Sequence, residues 1–348
     1  MRLKLTMLSL LLIFTLSGCS LLWPVVDDPT PKVTGSLAGH SSGSFMPLVL
    51  PASGEGVRLR TAYLLDHASR YLVPYVLSIE KTEGIAREVL LQLIDSPENS
   101  AALVGTEFRL PFPSATAILG LTIRDQIAIV DFSDEFLNFQ DATHERLAVD
   151  ALLYTLTEFD NIDQVELRVA GKPVTTLPSG LSLPSPFSRA DRPLNLEISP
   201  TVLDLSVGTR VKLYFSAVGP AGELIYFVPV TRQILPQNDP LAAVVLELIQ
   251  GPASGSDLCA DLPANTELRS VKLEDGVVYV DFSSDLIAYG GGTAAENAML
   301  GALILSLTDI PGVNSVKITI NGQTPILPEG TDISQPVLRP LFINPFIL

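Results

Sequence analysis

The chain repeats itself, and that repeat limits what it can fold into more than any other feature. Pro74, Ile79, Leu93-Ile94 and Pro97 recur 155 residues later as Pro229, Ile234, Leu248-Ile249 and Pro252. Asp131-Phe132-Ser133 recurs after 150 residues as Asp281-Phe282-Ser283, and Leu156-Thr157 through Gly171 recurs after 151 as Leu307-Thr308 through Gly322. The offset drifts by a few residues while the apolar positions keep phase, so the insertions and deletions fall in loops. Two copies of one domain are expected, each of about 120 to 140 residues and long enough to bury its own core.

Both copies carry the same order of elements. Residues 61–65 and 71–79 read as strands, mirrored by 211–216 and 224–234. A first helix follows, with Ala86, Val89, Leu90 and Leu93 at i, i+3, i+4 and i+7, matched by Leu241, Val244, Val245 and Leu248. That spacing places the four side chains on one buried face. Next comes a hairpin. In the second copy residues 271–274 and 277–280 flank Asp275-Gly276, the pair a two-residue turn favours because both positions need positive φ; Asp125-Gln126 in the first copy is a weaker signal. A second helix carries Val149, Leu152, Leu153 and Leu156, or Leu300, Leu303, Ile304 and Leu307, and a last strand spans 164–169 or 315–320. The expected fold class is α+β: two tandem repeats, each a mostly antiparallel or mixed sheet with two helices on one face.

The start of the chain belongs to targeting. Basic Arg2 and Lys4 precede a short apolar run and then Leu16-Ser17-Gly18-Cys19. A charged region and an apolar stretch too short to span a bilayer make a secretory signal. The small residues before Cys19 resemble the bacterial lipobox, which implies cleavage before a lipidated cysteine; the alternative is a plain signal peptide. The expected boundaries are a signal peptide at 1–18, a Pro-, Gly- and Ser-rich tether at 19–57, a first domain at 58–190, a linker at 191–207 and a second domain at 208–348. The apolar tail from Gln335 is expected to pack as an extended segment on its own domain, since Pro186 and Arg189 match Pro336 and Arg339. A partner-docking peptide is its alternative.

Charge and cysteine count exclude several functions. Removing residues 1–18 takes away two basic residues and no acid, leaving 20 basic against 38 acidic residues and a net charge of −18. Phosphate backbones need clustered Lys and Arg, so nucleic acid is excluded as a partner. With Cys19 lipidated, Cys259 stands alone, and the three His at 40, 67 and 144 are scattered. No disulfide framework, metal site or cofactor is expected, and Cys259 reads as a small apolar side chain.

The candidate site residues sit at corresponding places in the two copies. Asp131 and Ser133, like Asp281 and Ser283, close an apolar strand. They could be a base or a ligand set, but their ordinary role is to accept backbone N–H bonds where a strand turns. Thr143 and Thr293 precede the second helix as expected N-caps, with Glu145 and Glu296 in its first turn to complement the helix dipole. Gly290, Gly291 and Gly292 form a loop with no phosphate-cradle pattern.

The Val-Asp-Phe-Ser strand end, the Gly290-Gly291-Gly292-Thr293 loop, Glu296, Leu307-Thr308 and Gly322 together resemble the GerMN domain of sporulation and spore-germination proteins. Two tandem copies behind a lipobox resemble the lipoproteins of that family in endospore-forming bacteria. The first copy departs from the pattern, with Asn138-Phe139-Gln140-Asp141 in place of the Gly loop. The resemblance implies a non-catalytic module anchored to the outer face of the cell membrane, acting as a scaffold or assembly factor in sporulation or germination. Its partners would be the membrane through the lipid, envelope proteins and peptidoglycan; a peptidoglycan- or small-ligand-binding module is the alternative reading. An envelope hydrolase has the least support, because neither copy brings a second catalytic group near its Asp.

Overall fold

The structure is a computed structural model, described here for residues 56–199, 208–222 and 224–344. The expected signal peptide, Cys19 and nearly all of the expected tether lie outside the described residues.

The first repeat opens with an antiparallel hairpin, β1 (Val57–Leu65) and β2 (Leu72–Glu80). Helices α1 (Ile85–Leu91) and α2 (Pro97–Ala102) follow, then a second hairpin, β3 (Ile118–Arg124) and β4 (Ile127–Phe132). Asp125 and Gln126 both adopt positive φ (50° and 62°), as do Asp275 and Gly276 (50° and 79°), so the weaker turn sequence makes the same turn. Helix α3 (Ala142–Leu156) then crosses to β5 (Gln164–Val169), which runs parallel to β4 and antiparallel to the short β6 (Lys172–Pro173) and β7 (Phe187–Ser188).

The second repeat follows the same path. Strand β8 (Glu197–Ile198) leads to the hairpin β9 (Thr209–Val218) and β10 (Ile225–Ile234), then to α4 (Pro240–Gln250). Strands β11 (Leu268–Glu274) and β12 (Val277–Phe282), helix α5 (Gly292–Leu307), β13 (Ser315–Ile320) and β14 (Val337–Leu338) complete it. Its sheet order is β11-β12-β13-β14, with one parallel pair between two antiparallel ones. The α+β class, the mixed sheet and the tandem organisation are as expected.

Helical periodicity did not reveal how the long helix sits. The opening hairpin stays apart from the main sheet, and the second helix of each repeat packs against both. Residues 147–156 of α3 and 298–307 of α5 are buried without interruption, as for a helix covered around its circumference. The face opposite the Leu stripe is filled by Ala148, Ala151 and Thr155. Thr155 Oγ1 accepts the Tyr63 N–H of β1 at 3.0 Å, and Ser306 Oγ accepts the Tyr214 N–H of β9 at 2.9 Å.

The Thr cap expectation is corrected. Asp141 caps α3, its carboxylate accepting the His144 N–H at 2.8 Å, while α5 starts from Gly291 in the left-handed region, with no side-chain cap. Thr143 and Thr293 lie inside the first turn.

The two repeats share one continuous buried apolar cluster. Phe108 stands edge-on between Tyr75 and Tyr226, with ring centroids 5.6 and 5.0 Å away. Part of the expected linker is packed into this seam. Asn195 Oδ1 accepts the Leu72 N–H at 2.9 Å, and its Nδ2 donates to Leu72 O (2.8 Å) and across the seam to Pro229 O (2.7 Å). Asn344 mirrors it: Oδ1 accepts the Phe227 N–H at 2.8 Å, and Nδ2 donates to Phe227 O (2.8 Å) and across to Pro74 O (2.9 Å). Each asparagine thus joins its own hairpin to the other repeat's.

The described part of the tail packs on its own domain. Strand β14 pairs with β13, and Arg339 donates to Leu305 O (2.8 Å) and lies over Tyr214, just as Arg189 donates to Tyr154 O (3.1 Å) and lies over the Tyr154 ring.

Candidate functional site

Strand β4 delivers Asp131 and Ser133 to its C-terminal end, and β12 does the same for Asp281 and Ser283. In both copies the serine closes a backbone ladder. The Ser133 N–H donates to Ala117 O (2.9 Å) and its Oγ accepts the Ala117 N–H (3.0 Å); the Ser283 pair with Glu267 has both distances at 3.0 Å. The aspartates reach to the next turn: Asp131 accepts the Gly171 N–H at 2.9 Å and Asp281 accepts the Gly322 N–H at 2.8 Å. Asp281 also accepts from Thr319 Oγ1 (2.7 Å) and pairs with Arg269 (3.2 Å). Burial pushes the Asp281 carboxyl up, but the Gly322 and Thr319 bonds and the guanidinium outweigh it and hold the group below the usual range. It stays ionised and fully engaged.

The helix glutamates do not face solvent at the dipole. Glu145 and Glu296 are buried, 2% and 0% exposed, because each turns inward and holds a loop from the C-terminal part of its repeat. Glu145 accepts from the Ser179 N–H (2.9 Å) and the Ser179 hydroxyl. Glu296 accepts from the Tyr289 hydroxyl, the Glu329 N–H (3.0 Å) and both the N–H (3.3 Å) and hydroxyl of Thr331. Burial raises its carboxyl, and these donors together bring it below the ordinary value. Gly291 and Gly292 take φ of 107° and 67°, a path L side chains adopt only at a cost, and so swing the chain into α5.

These residues do not form one constellation. In each repeat the aspartate, serine and glutamate serve separate backbone joints, and each carboxylate already has its donors. Among the described residues no group of three metal-ligating side chains occurs. Burial pushes the Cys259 thiol up, which disfavours the thiolate a nucleophile needs.

Sequence patterns missed a cleft of about 750 Å³ in the first repeat. It opens between α2 and the start of α3, over the apolar floor of Leu65, Phe108 and Phe112, and its rim carries Arg109, Asn138 and Gln140. The segment that replaces the Gly loop therefore lines a concavity. His144 stands at the same rim, its Nδ1 accepting the Gln140 N–H (3.2 Å) and its Nε2 meeting Pro111 O (2.9 Å), which fixes the Nε2–H tautomer. The available signal was negative: residues 138–141 lack the glycines of the second copy.

The family model described as Germane, sporulation and spore germination, matches residues 61–175 and 212–325. The chain is 32% identical over 296 residues to the spore germination protein GerM of Bacillus subtilis (strain 168), covering 82% of this chain and 78% of that protein. It is similar to the solved tandem GerMN domains of the sporulation protein GerM from Bacillus subtilis, with a TM-score of 0.70 and 30% identity, over 83% of this chain and 99% of that one.

Proposed function

Because the chain belongs to the Germane family of sporulation and spore germination proteins and carries its GerMN domain twice, we propose that it is a non-catalytic scaffold that assembles envelope proteins during sporulation or germination. It works outside the cytoplasm, held to the cell membrane by lipid on Cys19. The observation that carries this reading is the seam: reciprocal asparagines and a shared core make two repeats into one body. Such a body offers partners two related surfaces at fixed spacing, and paired weak contacts strengthen one another through effective concentration. The polar groups that recur in both copies, Asp131, Ser133, Asp281, Ser283, Glu145 and Glu296, serve as framework, consistent with their backbone partners. Among the described residues no helix is long and apolar enough to cross a membrane.

Crosslinking in sporulating cells, with the native chain and with Cys19→Ala, tests this. The assembly reading expects envelope partners crosslinked to the anchored chain and lost from the released one. Normal sporulation with Cys19→Ala and no crosslinked partner in either strain would sink it.

The cleft of the first repeat favours a second reading, capture of a wall peptide or glycan. Its rim of Arg109, Asn138 and Gln140 offers a cation and two amides above an apolar floor. Retention of the mature chain on purified peptidoglycan, reduced by Arg109→Ala, is the expected result; no retention at low or moderate salt removes the reading.

A further inference from the structure

The polar rim of the first repeat's cleft has no counterpart in the second repeat. Around it the two copies keep one offset of 150 residues, which relates Pro113, Thr116 and Asp131 to Pro263, Thr266 and Asp281. Backbone bonding gives the same register: the Arg109 N–H donates to Leu65 O at 2.9 Å, and the Cys259 N–H donates to Ser216 O at 2.8 Å. Arg109, Asn138 and Gln140 therefore fall opposite Cys259, Ala288 and Gly290. The second repeat builds the same helices and strands without them, so the fold does not call for a guanidinium and two amides at these places. Glu145 and Glu296 make the contrast, since a side chain that the framework uses is present in both copies.

The guanidinium of the rim is also uncommitted. Arg109 is exposed, and no side-chain hydrogen bond or ion pair of it occurs among the described residues. Arg70, the other arginine of the lining, pairs with Asp257. The acids of the lining are engaged as well: Asp95 accepts the Ser100 hydroxyl at 3.2 Å, and Asp141 caps α3. Beside the apolar floor of Leu65, Phe108 and Phe112 stands Val104, 82% exposed, so an apolar group entering the cleft finds a wall as well as a floor. The volume of about 750 Å³ lies within the range of roughly 300–1,000 Å³ that encloses small ligands.

Resting on the reading of the cleft as a site for wall material, we propose that it selects a short peptide segment bearing a free carboxylate beside an apolar side chain, with the carboxylate on Arg109. The planar guanidinium matches a carboxylate through two parallel N–H···O bonds. The amides of Asn138 and Gln140 each offer a donor and an acceptor, which suits the C=O and N–H of a peptide group. A neutral sugar would bring hydroxyls but leave the guanidinium without a counter-charge. The acidic chain as a whole repels an anion, but at physiological ionic strength that field is screened beyond about 8 Å, and the contact inside the cleft decides.

Calorimetric titration of the mature chain with soluble wall fragments released by a muramidase tests this, when the same fragments are also titrated after their carboxylates have been converted to amides. The untreated fragments should bind at least about tenfold more tightly than the amidated ones. Arg109→Gln should abolish that difference by weakening the untreated fragments alone. The negative charge of the chain acts in the opposite sense, so a preference for the carboxylate form must come from the site. Equal affinity for the two forms, a preference that survives Arg109→Gln, or displacement of the fragments by neutral chitotetraose would overturn the inference and leave wall capture standing. No binding of either form would remove the wall-capture reading and the inference with it.

Discussion

The ring of Phe227 lies against the backbone of Gly301, where a β-carbon would come within 2.1 Å of its Cζ. Phe227 belongs to β10, whose N–H and C=O are held by Asn344, and Gly301 belongs to the buried helix α5. Gly301→Ala should therefore push the ring into the seam and cost about 1–3 kcal/mol. Chemical denaturation of the mature chain measures this; a stability equal to or above the parent would mean that helix propensity outweighs the overlap.

The reciprocal asparagines should behave as a pair. Asn195→Ala strands the Leu72 N–H and two carbonyls inside the seam, and Asn344→Ala strands the Phe227 N–H and two others. Each loss is expected to cost about 2–4 kcal/mol. Both act on one joint, so the double variant should lose less than the sum of the singles in a double-mutant cycle. Strict additivity would show that the repeats respond independently.

Asp261 should make stability fall as the solution becomes less acid. Its carboxyl accepts the Ser216 N–H (2.7 Å) and hydroxyl (2.5 Å), and burial raises it from 3.8 to about 6 in spite of these bonds. A folded-state value above the unfolded one means that protonation favours the fold. The contribution is full below about pH 4 and is lost as the pH rises through about 6. Asp261→Asn should flatten this slope and leave the protein more stable at pH 7 by on the order of 1 kcal/mol. Thermal unfolding between pH 4 and 7 would reveal it, and an unchanged slope would refute it.

Glu296 should act in the opposite sense. Its donors hold the carboxyl below 4.5, so its contribution is full above that value and is lost as the pH falls through the folded-state one. Glu296→Gln removes charge from four hydrogen bonds and, at either oxygen's place, sets an amide N–H₂ against one hydroxyl and one backbone N–H donor. A loss of roughly 2–3 kcal/mol at pH 7 is expected, with faster hydrogen exchange confined first to residues 327–331. Uniform acceleration across the repeat would argue against a local latch.

Arg109→Ala separates the cleft from the frame. Arg109 is exposed and no side-chain hydrogen bond or ion pair of it occurs among the described residues, so its removal should change stability by less than about 0.5 kcal/mol while reducing any wall retention. Full retention would free the cleft of a binding role.

The sequence by itself determined the repeat, the order of its strands and helices, the turn at Asp275-Gly276 and the stripe of Val149, Leu152, Leu153 and Leu156. Each is a local matter of period and turn chemistry within a dozen residues, and duplication stated it twice. The tertiary structure alone decided that the second helix is covered all round, because Ala148 and Thr155 carry no apolar signal until β1 is laid against them. It decided that Glu145 and Glu296 turn inward, since a glutamate in a first helical turn looks the same whether it faces water or a loop more than thirty residues away. The seam was hidden for the same reason. Asn195 and Asn344 are ordinary residues in a linker and a tail, in a stretch where the repeat register slips by up to three residues. Only when folding brings Leu72 beside Pro229 and Phe227 beside Pro74 do their amides meet backbone groups that water cannot reach.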